Sequence, residues 1–121
     1  MIAVIFEVWP DGEDGKRDYL GLAAALRSDL MAMDGFISVE RFQSLSEPGK
    51  LLSLSFWRDE EAVRAWRNLP SHRTTQGAGR DGVFRDYRLR VASVIRDYGL
   101  TEREEAPADS RTAHEGITVE D

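Results

Sequence analysis

The hydrophobic positions change period several times along this chain, and each change marks an element. Residues 2–9 are β-branched and aromatic with little alternation, which predicts a strand buried on both faces or nearly so. Pro10, Asp11, Gly12, Glu13, Asp14 and Gly15 form a turn cluster. From about residue 16 to 33 the apolar residues Tyr19, Leu22, Ala23, Leu26, Leu30 and Met33 keep the three-to-four spacing of one helical face. Gly35, after Asp34, is the natural stop.

Residues 36–45 and 50–57 then read as two strands around the turn Ser46-Glu47-Pro48-Gly49. In the second of them Leu52, Leu54 and Phe56 point one way, and Leu51, Ser53, Ser55 and Trp57 the other. The leucine face is expected to pack against helices. The face with the small hydroxyls is expected to meet something else. Asp59 should cap a second helix, with Glu60 and Glu61 in its first turn and Ala62, Val63, Trp66 and Leu69 as its apolar stripe. Pro70 breaks the pattern, and a short helix over 71–76 follows. Gly77, Gly79 and Gly82 make a loose connection to a final strand over 83–98. Its change of parity near Ser93 predicts a bulge.

Strand, helix, strand, strand, helix, strand is the ferredoxin-like α+β plan, an antiparallel sheet with two helices on one face. Two helices leave the other face uncovered, and apolar bulk there predicts a second copy of the chain, paired face to face as an isologous homodimer. The folded domain is expected over residues 1–99. Residues 100–121 hold few large apolar residues and are expected to be a flexible or loosely docked acidic tail.

Composition narrows the chemistry. The 121 residues suffice for one domain with one modest core. Without cysteine, disulfides, thiolate nucleophiles and Cys-ligated metal sites are excluded, and a reducing cytoplasm is the expected compartment. No apolar run approaches the roughly 20 residues that cross a bilayer, and the apolar first residues reach Glu7 too soon for a signal peptide, so no membrane partner is expected. Most of the net charge of −6 lies after Thr101, where Arg103 and Arg111 face seven acidic residues. The remainder is near neutral with no basic patch, which argues against nucleic acid as a partner.

The candidate site lies where the third strand enters the second helix. Trp57, Trp66, Asn68 and His72 gather near one end of the sheet, a plausible pocket for a small aromatic substrate. Trp57, opposite in parity to Phe56, is expected at the dimer interface or, failing that, at the pocket rim. Asn68 could orient a substrate oxygen or cap a helix. Arg64, Arg67 and Arg73 read as a solvated helix face. Ser53 and Ser55 lack a neighbouring base, and Gly77-Ala78-Gly79 lacks the Lys-Ser or Lys-Thr of a phosphate loop.

Asp34-Gly35-Phe36, Phe56-Trp57-Arg58-Asp59, Ala65-Trp66 followed by His72, and Tyr87-Arg88-Leu89-Arg90-Val91, in this order, resemble the antibiotic biosynthesis monooxygenase superfamily of dimeric α+β barrel proteins. The resemblance covers residues 1–99. It implies a small cofactor-independent monooxygenase that oxidises a quinol-like or polycyclic aromatic substrate with dioxygen. Such a protein supplies a dry aromatic slot, positioned hydrogen bonds and a base. His72 is then the base, Trp66 the stacking wall, and Trp57 and Asn68 further substrate contacts, with no cofactor and no metal. The alternatives are a dimeric small-ligand-binding protein without catalysis, or a haem-degrading enzyme. That branch resembles this chain in Trp66, but it has an axial His where Gln76 stands and an Asn where Glu7 stands, so haem is not expected.

Overall fold

The computed structural model describes residues 1–78 and 82–114, with the side chains of Thr75, Gln76, Ala78 and His114 left aside. The elements run β1 (Ile2–Pro10), α1 (Gly12–Met31), β2 (Phe36–Gln43), β3 (Leu51–Trp57), α2 (Glu60–Arg67), α3 (Pro70–Ala78), β4 (Phe84–Ser93) and α4 (Ala108–His114). The strands form one antiparallel sheet in the order β2-β3-β1-β4. This is the expected ferredoxin-like α+β arrangement, with α1, α2 and α3 against one face.

The covering helices lie on the face opposite to the one expected. Val4 pairs with Ser55 and Val91, and Phe6 with Ser53 and Leu89, so these residues share a face. They line a common cavity with Leu22, Leu26 and Leu30 of α1, Val63 and Trp66 of α2, and His72 of α3. The serines of β3 therefore look at the helices. Leu52, Leu54 and Phe56, paired with Glu7, Ile5 and Ala3, look away from them. Hydrophobic bulk misled the assignment because a face that covers a cavity needs small residues, whereas an apolar face needs no helix if something else covers it.

The apolar packing divides into two clusters. One holds Leu30, Trp57, Ala62 and Val63, with Trp66, Phe36 and Met33 against them. The other holds Val8, Tyr19 and Leu51, with Phe6, Val83 and Phe84. Along β3 the clusters are anchored by Leu51 and Trp57, and Ser53 and Ser55 stand between them. Those two serines open a gap in the middle of the core.

Several details differ from those expectations. Helix α1 begins at Gly12, four residues earlier than the turn cluster suggested. Gly15 sits so close to the residue before β4 that a Cβ would stand 2.7 Å from the carbonyl oxygen of Val83. This glycine serves close approach rather than a turn. Strand β4 ends at Ser93 rather than at 98; Ser93 pairs with Ile2, and just beyond it the Val94 N–H donates to the Met1 carbonyl at 3.0 Å. Its irregularity lies between Asp86 and Phe84, opposite Trp9 and Pro10, and not near Ser93. A second irregularity sets Ile37 apart in β2.

After β4, the Asp97 amide donates to Glu105 at 2.7 Å and the Gly99 amide to the Glu102 carbonyl at 2.8 Å. The Arg103 guanidinium lies over Tyr98, Ala106 is buried, and α4 follows. The expected short strand at Gly116-Ile117-Thr118-Val119 lies outside the described residues.

Candidate functional site

The entry to the site is fixed at the β3–α2 junction. Asp59 caps α2 by accepting from the Ala62 amide at 3.0 Å. Arg58 reaches back to Asp34 through both terminal nitrogens, at 3.2 and 3.1 Å, and its backbone N–H donates to the Gly35 carbonyl at 2.7 Å. The guanidinium holds the Asp34 carboxyl below the usual carboxylate range. Gly35 has φ +84°, and a Cβ there would stand 2.6 Å from that of Ala62. The glycine is therefore required both by its backbone conformation and by the closeness of α2. These contacts set the height of α2 over the end of β3.

That height brings four rings together in sequence. Phe36 meets Trp57 edge-on with centroids 5.3 Å apart, Trp57 lies 6.3 Å from Trp66, and Trp66 stacks on His72 at 4.6 Å and 29°. Trp57 is 2% exposed and donates its indole N–H to Ser55 Oγ at 2.9 Å. The expected interface position of Trp57 is thus corrected: its parity does oppose Phe56, but its face is the helix-covered one. At the other end Phe6, Tyr19, Phe84 and Tyr87 form a second aromatic group, with centroids 5.5–6.3 Å apart.

Between the two groups is a mostly apolar cavity of about 410 Å³. Trp57, Trp66 and His72 all line it. Asn68 does not. Its amide nitrogen donates to the Arg64 carbonyl at 3.0 Å and its oxygen accepts from Arg73 at 2.6 Å, so it closes α2 and steadies an arginine that faces the cavity. Arg67 and Arg73 also line the cavity, which corrects their reading as a purely solvated face. Sequence reasoning missed Tyr19, Arg41, Ser53 and Ser55. The signal for the serines was present in the alternation of β3, read on the wrong side of the sheet.

His72 is half-buried, and burial pushes its imidazole below the ordinary histidine value. The nearby Arg73 adds to that shift, while the backbone of Arg67 and Trp66 pulls the other way. Its Nδ1 is shielded from solvent and has no hydrogen-bond partner among the described residues. A buried polar atom left unpaired costs free energy, and a ligand proton can recover it. Glu7, at the position where the haem-degrading branch has an Asn, lies on the sheet face away from the cavity. It is bound there to Lys50 and Arg90, each at 2.5 Å. The Gln76 side chain is outside the described set. No cluster of three metal-ligating side chains occurs among the described residues, and no described helix is long and apolar enough to cross a membrane.

Comparison with known proteins places this geometry in context. The family model described as antibiotic biosynthesis monooxygenase matches residues 1–78. Jasmonate monooxygenase ABM of Pyricularia oryzae is 50% identical over 94 residues, 78% of this chain and 43% of that protein. The chain thus spans less than half the length of this curated relative. A Mycobacterium tuberculosis structure superposes with a TM-score of 0.71 at 20% identity, over 81% of this chain and 98% of that one. SnoaB, a cofactor-independent oxygenase from Streptomyces nogalater, superposes with a TM-score of 0.68 at 11% identity, over 79% and 94%. At such identities the superpositions speak to the fold.

Proposed function

Since the chain belongs to the antibiotic biosynthesis monooxygenase family, we propose that it is a small monooxygenase. In this reading it oxidises a quinol-like or polycyclic ring substrate with dioxygen in the cavity between sheet and helices. The observation that carries the reading is the stack of His72 on Trp66 at the edge of a mostly apolar cavity whose lining, among the described residues, contains no carboxylate. Burial favours the neutral imidazole, which is the form that accepts a proton.

The substrate ring would lie in the slot that Trp66 and Trp57 bound. His72 takes a proton from an acidic ring CH2 or hydroxyl. The resulting electron-rich anion is itself the reductant of dioxygen. For a ring CH2 the balance is one substrate and one O2 giving the ring carbonyl and one water. One oxygen atom enters the carbon, the other leaves as water, and both electron pairs come from the substrate. The apolar lining excludes water that would quench the anion.

Dioxygen uptake with naphthoquinols and anthrones, corrected for spontaneous oxidation, tests the proposal. Jasmonate, for which the Pyricularia oryzae relative is named, belongs in the same panel. Saturable acceleration without added metal or flavin supports the monooxygenase. No acceleration with any of them favours a protein that binds a small ligand without turning it over.

The second half of the proposal concerns assembly. Ile5, Leu52, Leu54 and Phe56 are half-buried, and Phe42 is exposed, on the face away from the helices. A second copy covering this face buries them in a homodimer. Residues 1–99 carry both the fold and that surface in this reading. Truncation after Gly99 is expected to leave a folded dimer by light scattering, and a monomer would assign the interface to the tail.

A further inference from the structure

We infer that the ligand of this cavity carries a carboxylate, and that Arg41 is its anchor. The inference rests on the cavity being the substrate site, as proposed above. Arg41 lies on β2 opposite Ser53 and faces the cavity where α1 crosses the sheet. It is half-buried. Its Nε–H donates to the Tyr19 hydroxyl at 3.3 Å, and its guanidinium carbon lies 5.8 Å from the centre of that ring. Among the described residues its two terminal nitrogens have no hydrogen-bond partner and no carboxylate lies within ion-pair distance. Arg17, Arg58, Arg64 and Arg90 differ, for each is paired with an acid.

A guanidinium partly withdrawn from water and facing an apolar cavity is costly unless an anion meets it. Its free edge is the planar fork that binds a carboxylate through two parallel hydrogen bonds. The hydroxyls of Tyr19 and Ser53 flank the same place and supply further donors. Arg67 and Arg73 add positive charge elsewhere in the lining, and no acidic side chain among the described residues lines it.

The position of Arg41 also sets a length. Ser53, its partner on β3, is four residues from Trp57, which is about 13 Å along an extended strand. Trp57 leads through Trp66 to His72. A ligand that joins the two ends therefore has its ring near His72 and its carboxylate several atoms away, at the Tyr19 end. A bare quinol with no side chain fills only one end.

Equilibrium binding tests this without turnover. The probes are 6-phenylhexanoate and its uncharged methyl ester, titrated calorimetrically into the full chain at pH 7. The acid is expected to bind at least about tenfold more tightly than the ester. In Arg41→Gln that ratio should fall to within about twofold, while Arg41→Lys, which keeps the charge but not the fork, retains part of it. Circular dichroism confirms that the variants fold. The result overturns the inference if the acid binds no better than the ester, absence of binding by both included, or if the preference survives in Arg41→Gln. An acid preference without dioxygen uptake leaves the ligand class standing and removes the oxygenase. Uptake with no acid preference does the reverse.

Discussion

The two faces of the sheet use the same strands for opposite ends. On β3, Ser53, Ser55 and Trp57 look at the helices, and Leu52, Leu54 and Phe56 look away. The covered face is the less hydrophobic one in its middle, because two small hydroxyl residues hold open a cavity that leucines would fill. The uncovered face is apolar yet carries Glu7 at its centre, bridged by Lys50 and Arg90. Those two cations hold the Glu7 carboxyl below the usual range. Apolar bulk thus marks the face proposed for a partner, and its local absence marks the face proposed for the chemistry.

The largest expected effect is on the covered side. His72→Ala removes the proposed base and should lower turnover by roughly 10²–10⁴-fold, with the circular dichroism spectrum unchanged. The pH profile sharpens this. The neutral ring is the active form, so the rate should fall as pH falls, with a midpoint below the ordinary histidine value of about 6.5, since burial lowers it. The same shift links to stability: the unfolded chain binds the proton more readily, so His72 contributes stability above its unfolded value and loses it as pH falls through that value toward the folded one. A rate unchanged in His72→Ala would leave the cavity without its base.

On the other face, Leu54→Asp places a charge among Ile5, Leu52 and Phe56. If a second copy covers them, truncation and charge near the centre of the interface should cost about 2 kcal/mol or more, roughly thirtyfold in dissociation constant. Analytical ultracentrifugation would then show monomer at concentrations where the parent chain is dimeric. Retention of the dimer would mean that the leucine face is not the interface.

What could be read from the sequence follows the same division. Period and punctuation gave the element order, the cap at Asp59 and the break at Pro70, because each depends on local conformation, whereas α1 ends at Met31 with Ala32 as its cap, short of the expected stop at Gly35. They also brought Trp66 and His72 to one place, since an eight-residue helix and a proline leave little freedom between them. Which face of β3 the helices cover depends on long-range packing, and alternation alone is symmetric between the two choices. Arg41 was passed over for the same reason. Its proposed role comes from Tyr19, twenty-two residues earlier, and from its having no ion-pair partner among the described residues, neither of which shows in the local pattern of β2. The early start of α1 was hidden by Gly12 and Gly15, which are poor helix formers; Gly12 has φ +67°, and Gly15 is required by the closeness of the Val83 carbonyl.

The smallest effect separates the faces most cleanly, because it concerns the neighbour of Leu54. Ser55 Oγ accepts the indole N–H of Trp57 on the cavity floor. Ser55→Ala leaves that donor unpaired in a part-buried place, at a cost of about 1 kcal/mol, or a fall in Tm of roughly 4 °C. The loosened indole should also change the tryptophan fluorescence and weaken ligand binding by a few-fold, since Trp57 supports Trp66 and through it His72. Dimer dissociation should not change at all. One residue along the strand, Leu54→Asp should alter assembly and leave the indole emission of isolated monomers close to that of the parent chain. If Ser55→Ala instead shifts the monomer–dimer equilibrium, the cavity and the uncovered face are coupled through β3, and the sheet transmits what the two-face comparison treats as separate.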